Sequence, residues 1–319
     1  MATMDIFFHL PGVSLKDGDN FPLGLGRVAV MSFERWQELD PSFAFAGKKF
    51  ARNRPVFWCA EGLLWDDSTD PQAVAQEIAH GVHMAFLLEE RAPWLPSPIL
   101  STVYLIASGI IYRLIGPMER EWVVYGSELL VPYGEHDVTA VNRLYRRLQQ
   151  LPALSRYQQV QAGLIVLERT SRPESWWGST FMHSVNDFIH CMAGCEELLL
   201  PQEQKVSGKS KVSTAAPFSR LAATLTAPTF ADIKKGMQFW SDVYQLRNKL
   251  MHGLIGLGNV DETYKMLLPT ARRLLRQLIV TTLALQLAGE NNLSHMLHEA
   301  SLDPNIHAHL RHLMEEVLI

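Results

Sequence analysis

Apolar positions change their rhythm along this chain. In the first 135 residues they come in short runs bounded by Pro, Gly and Asp clusters. Ile6–Leu10, Arg27–Met31 and Pro55–Cys59 predict β-strands, and Trp122–Tyr125, ending at Gly126, is a further β-like run. One helix interrupts them. Asp70 stands before Pro71, a residue suited to the first helical position, and Val74, Ile78, Val82 and Phe86 follow at helical spacing.

From Asp137 the apolar residues recur every three or four positions. Asp137 or Thr139 can cap a helix carrying Val141, Leu144 and Leu148, and a second runs through Tyr157, Val160, Leu164 and Leu167. Residues 175–200 predict a third. The polar stretch Gln202–Ala216, with Gly208 and lysines 205, 209 and 211, reads as a loop. Helices then continue to about His252 and from Asp261 to Leu287, and two short ones close the chain. The expected fold class is mostly α: a C-terminal helical bundle preceded by a small α+β module. The expected divisions are 1–135, 136–289 and a C-terminal helical extension, 290–319.

Composition narrows this picture. Hydrophobic residues make up 47% and charged residues 19% of the chain, enough for packed cores and against disorder. With a net charge of −4, any nucleic-acid contact must use a local basic patch. Cys59, Cys191 and Cys195 do not make a disulfide framework, and a reducing cytoplasm is expected. The chain opens without the basic start and hydrophobic run of a signal peptide. The uncharged stretch Ala92–Tyr112 holds Pro93, Pro96 and Pro98. Its apolar part, from Ile99, is about 14 residues long, short of the ~20 that span a bilayer. It reads as a buried element, and no membrane partner is expected.

The densest candidate chemistry lies in Tyr244-Gln245-Leu246-Arg247-Asn248-Lys249-Leu250-Met251-His252-Gly253. An always-charged anion binder and a base titrating near neutrality can cleave RNA without a metal. On a helical wheel, Phe239, Val243, Leu246 and Leu250 cluster as the expected core face. Ser241, Gln245, Asn248 and His252 lie nearly opposite. Trp240, Tyr244, Arg247 and Met251 form a third stripe, whose aromatic residues and methionine suit a subunit interface or a base-stacking platform. Five residues of regular helix rotate Arg247 and His252 about 140° apart, which favours a cleft shared by two subunits. His252 would act as general acid and base, Arg247 would bind the phosphate, and Asn248 could orient either. The same residues can also be read as an ion-paired arginine and a C-terminal cap before Gly253.

Three segments carry a resemblance to a known family. They are Phe188-Ile189-His190-Cys191-Met192-Ala193-Gly194-Cys195-Glu196-Glu197-Leu198-Leu199-Leu200-Pro201, Phe218-Ser219-Arg220-Leu221-Ala222, and the Arg-Asn-x3-His-Gly stretch from Arg247. In this order they resemble the Apea-like branch of the HEPN superfamily, over residues 137–289. The resemblance implies a helical, usually dimeric domain, often a metal-independent endoribonuclease of toxin or antiviral systems. Other members are non-catalytic scaffolds or ligand-binding regulators. RNA, a second copy of the chain and a regulatory or antitoxin partner are the implied partners.

Glu196 falls in the apolar stripe of Val185, Ile189, Met192 and Leu199, where a carboxylate needs a partner. Arg220 or Arg247 is the obvious one, and the family pattern also has an acid here. The histidines of the tail (His295, His298, His307, His309, His312) read as polar helix positions, since Glu299 lies outside the His295–His298 pair. No phosphate loop, nucleophile elbow or dinucleotide fingerprint occurs, and no metal or cofactor is expected.

Overall fold

Alternation of Met4, Ile6 and Phe8 with Asp5, Phe7 and His9 gives strand β1 (Ala2–His9) two distinct faces. Both are covered: Ile6, Phe7 and Phe8 are all buried. The computed structural model describes residues 2–10, 13–32, 34–35, 38, 56–66, 69–89, 103–107, 110–114, 131–153, 156–170, 181–200, 214–252, 263–289 and 292–318. They divide into two units, Met1–Gln149 with Leu318–Ile319, and Gln150–Val317.

In the first unit β1 lies inside a six-stranded antiparallel sheet. Its other strands are β3 (Asn20–Leu23), β4 (Gly26–Val30), β5 (Val56–Trp65), β6 (Val103–Ala107) and β7 (Ile110–Leu114), in the order β3-β4-β5-β1-β6-β7. Short strands β2 (Val13–Ser14) and β8 (Val131–Pro132) pair in parallel elsewhere. Phe8 and Trp58, opposite each other in the β1–β5 ladder, stack with ring centroids 5.0 Å apart. The indole Nε1 of Trp58 donates to the Leu23 carbonyl at 2.9 Å. Helix α1 (Pro71–Leu88) covers this face with His83, whose ring stacks on Phe8 at 5.3 Å. On the other face Phe7, Phe57, Cys59 and Tyr104 pack with Met31.

Helix α1 begins as expected, with the Asp70 carboxylate accepting the Gln72 amide, and buries Ile78, Val82 and Phe86. The uncharged stretch read as one buried element is, from Val103, a hairpin of two strands, β6 and β7. Trp122–Tyr125 lies outside the described residues. Among those residues no helix is long and apolar enough to cross a membrane.

Helix α2 (Glu135–Gln149) belongs to this first unit, so the division falls at 149/150 where the sequence suggested 135/136. The reason is tertiary, a contact between α2 and the β3–β4 turn. Gly24, in the β3–β4 turn, has φ +62°, and its amide donates to Asn142 Oδ1 of α2 at 2.9 Å. The ring of Tyr145 occupies the space that a Cβ at position 24 would need.

The second unit is a helical bundle of α3 (Tyr157–Thr170), α4 (Phe181–Leu199), α5 (Ala215–Thr226), α6 (Ile233–Met251), α7 (Thr263–Leu287), α8 (Leu293–Ala300) and α9 (Pro304–Leu318). Ala271, Leu274, Leu275 and Leu278 of α7 are fully buried. Helix α7 comes close because Gly194 of α4 offers no side chain, and a Cβ there would meet Leu275 at 3.3 Å. The last helices are part of this bundle and not an appendage: Ser294 donates to the Leu199 carbonyl, and His307 reaches the Thr224 carbonyl at 3.2 Å. At the surface of the tail, His295 pairs with Glu299 and His312 with Glu316, each one turn apart.

All three cysteines are buried and reduced. Cys191 Sγ contacts Thr170 Oγ1 at 3.2 Å and Cys195 Sγ the Ala271 carbonyl at 3.8 Å. Burial pushes the thiols up, Cys59 to about 12 and Cys191 to about 11, with Cys195 raised well above the ordinary range.

Candidate functional site

Helix α6 presents the candidate residues, and the helices α4 and α5 beside it decide which way each one faces. The side chains buried on α6 include Trp240, Val243 and Tyr244, whereas Phe239 is 45% exposed and Leu246 and Leu250 are half-buried. This corrects the wheel drawn from sequence, in which Phe239, Leu246 and Leu250 made the core face with Val243. Trp240 and Tyr244 are therefore neither a subunit interface nor a base-stacking platform. Met251, the third member of that stripe, is 52% exposed at the helix end.

The rotation has a chemical cause. Both aromatic residues carry a polar tip, and both tips find partners inside the bundle. Trp240 Nε1 donates to Thr226 Oγ1 at 2.9 Å, and its ring meets Phe218 edge-on at 6.5 Å. The Tyr244 hydroxyl donates to Glu196 Oε1 at 3.0 Å, and its ring tilts against Phe218 at 4.9 Å. Because that phenol proton goes to Glu196, the 2.7 Å contact between Tyr244 and Thr214 has the threonine hydroxyl as donor. Burial raises the Tyr244 pKa, so the ring remains a neutral donor.

Arg247 is the centre of the constellation. Its Nη2 lies 3.0 Å from Glu196 Oε2, and the two side chains are only 14% and 21% exposed. Its Nη1 donates to Asn248 Oδ1 at 2.9 Å. The guanidinium carbon stands 5.7 Å from the Tyr244 ring centroid, within cation–π range. Nε is buried and has no hydrogen-bond partner among the described residues. Of the two arginines considered as partners of Glu196, the structure selects Arg247, and Arg220 is exposed.

His252 follows the last residue of α6. Its backbone is at φ −90°, ψ 6°, its amide donates to the Asn248 carbonyl at 3.1 Å, and its side chain is exposed. Asn248 thus touches both candidates, Arg247 through its amide oxygen and His252 through its carbonyl. Gly253, expected to complete the cap, lies outside the described residues.

Of the predicted residues, Arg247, Asn248 and Glu196 are linked through side chains, whereas the bond from His252 to Asn248 is the ordinary backbone bond of the helix end. Sequence reasoning missed Thr214, Thr226 and the part played by the Tyr244 hydroxyl. The available signal was the polar tip on each aromatic residue of α6, which requires a partner once the ring is buried. The arrangement offers a guanidinium held rigidly from below and an imidazole open to solvent. Compared with protein-family models, with curated proteins and with solved structures, the chain matches none.

Proposed function

We propose that the helical unit is a metal-independent endoribonuclease of HEPN type, acting through Arg247, Asn248 and His252. The observation that carries this reading is the contrast between an anchored guanidinium and an exposed imidazole. Arg247 is oriented by Glu196 and Asn248, so little freedom remains to be lost on binding a phosphate. His252 is exposed, and an imidazole can both take up and give a proton, as base and as acid.

In the proposed reaction an imidazole takes the proton of a ribose 2′-hydroxyl, whose oxygen attacks the adjacent phosphorus. The bond to the 5′-oxygen breaks, and that oxygen leaves with a proton from an imidazolium. The products are a 2′,3′-cyclic phosphate and a free 5′-hydroxyl. Arg247 stabilises the charge that builds on the phosphate oxygens. The helical offset of Arg247 and His252 favours a homodimer, in which a second α6 supplies the second imidazole. The family resemblance suggests a cytoplasmic toxin or antiviral setting, with a regulatory or antitoxin partner and the N-terminal unit sensing or recruiting.

One observation favours a second reading, a non-catalytic scaffold or ligand-binding regulator. The charge of Arg247 is already matched by Glu196 at 3.0 Å, as a purely structural ion pair would be. Incubating the full chain with end-labelled RNA in EDTA separates the two. The ribonuclease reading expects cleavage in EDTA, cyclic phosphate ends, and loss of cleavage in a folded His252→Ala variant. Cleavage abolished by EDTA and restored by magnesium, or wild-type rates in His252→Ala, would overturn it.

A further inference from the structure

Arg247 is held from two directions by one neighbour. The Tyr244 ring lies under the guanidinium at 5.7 Å, and the Tyr244 hydroxyl occupies Glu196 Oε1 while Arg247 occupies Oε2. A carboxylate bonded at one oxygen can still pivot, whereas one bonded at both is fixed in plane. The phenol is itself fixed, since Thr214 donates to it at 2.7 Å. We propose that Tyr244 is a positioning residue that sets the orientation of Arg247 through the Glu196 carboxylate. This rests on the ribonuclease reading for its effect on cleavage, but not for its effect on the guanidinium.

The two actions of Tyr244 are separable. Tyr244→Phe keeps the ring, the packing on Phe218 and the cation–π contact, and removes only the hydroxyl. Glu196 then loses one of its two bonds and can swing with Arg247 attached. A guanidinium displaced in this way still attracts phosphate but meets it out of alignment. Ground-state binding therefore survives, while stabilisation of the transition state does not.

The experiment measures rotation of the Arg247 guanidinium about its Nε–Cζ bond by carbon-detected NMR of the arginine-labelled full chain, without RNA. The signal is assigned by its loss in Arg247→Lys. Tyr244→Phe should accelerate the rotation several-fold. In the cleavage assay it should lower kcat about tenfold with KM changed less than about twofold. Glu196→Gln should lower kcat as well, and the double variant should be no slower than Glu196→Gln alone, because both act along one path. Unchanged rotation in Tyr244→Phe, or a double variant whose losses multiply, would overturn the proposal. Accelerated rotation in a chain that cleaves no RNA would support the positioning role and sink the ribonuclease reading, so the two failures are distinct.

Discussion

Glu196 Oε2 and Arg247 Nη2 stand 3.0 Å apart, joining helices α4 and α6 across a sequence separation of 51 positions. The pair is mostly buried, at 21% and 14% side-chain exposure. Coulombic attraction at such a site offsets a large desolvation cost, so the pair contributes little net stability while the loss of either partner is expensive. Glu196 has a second anchor in Tyr244 and Arg247 a second in Asn248. The pair therefore fixes how α6 is rotated against α4.

A double-mutant cycle follows from this geometry. Glu196→Ala and Arg247→Ala should each destabilise the helical unit by about 2–4 kcal/mol, since each leaves a shielded charge behind. The double variant should cost less than the sum of the two, with a coupling of at least about 1 kcal/mol. Urea midpoints at unchanged slope give the three values. Strictly additive losses would show that the two side chains do not support each other.

The corrected face of α6 makes a second prediction. Trp240 is 3% exposed and bonded to Thr226, whereas Phe239, one residue earlier, is 45% exposed. Trp240→Ala should cost about 3–5 kcal/mol through the cavity it leaves, and Phe239→Ala under about 1 kcal/mol. Thermal melts of both variants, analysed at the same temperature, check the order. The reverse order would restore the face drawn from the sequence.

That correction shows what the pattern of apolar residues could and could not convey. The helices of the second unit were legible because their stripes repeat over several turns, as in Val160, Leu164 and Leu167, all buried. The partnership of Glu196 with an arginine was legible because an acid on an apolar stripe demands a countercharge. The rotation of α6 was not. A wheel ranks residues by hydrophobicity alone, and so placed Leu246 and Leu250 ahead of Trp240 and Tyr244. The hydroxyls that favour the aromatic residues come from Thr214, at the start of α5, and Thr226, at its end. The division at 149/150 was hidden for a similar reason, since the contacts of Gly24 with Asn142 and Tyr145 span more than a hundred residues. The hairpin from Val103 was missed because the apolar run was read as one unit, although the Ser108-Gly109 pair that divides it is a turn dipeptide.

The first unit should be acid-sensitive where α1 meets the sheet. Burial pushes His83 down to about 4, against the support of a 2.8 Å contact from Nδ1 to the Ala79 carbonyl. Burial, and then the charge of His83, push His9 down to about 4 as well. A depressed histidine pKa means that the unfolded chain binds the proton first. Stability is thus unaffected above about pH 6.5 and falls as pH drops from there toward 4, by on the order of 3 kcal/mol for His83. His83→Phe, which keeps a ring against Phe8, should flatten that slope. Hydrogen exchange of the β1 amides in urea at pH 7 and pH 5 reads it, and an unchanged slope in His83→Phe would place the acid sensitivity elsewhere.

The buried cysteines turn the molecule into its own recorder of opening. A thiol that is enclosed and held far above its ordinary pKa supplies almost no thiolate, so nothing in the folded chain attacks a disulfide reagent in neutral buffer. Each sulfur becomes visible only when its own surroundings part. Cys59 is stationed in the sheet of one unit, Cys191 and Cys195 in the bundle of the other. The order in which these positions become labelled is therefore a timetable of which half of the protein yields first.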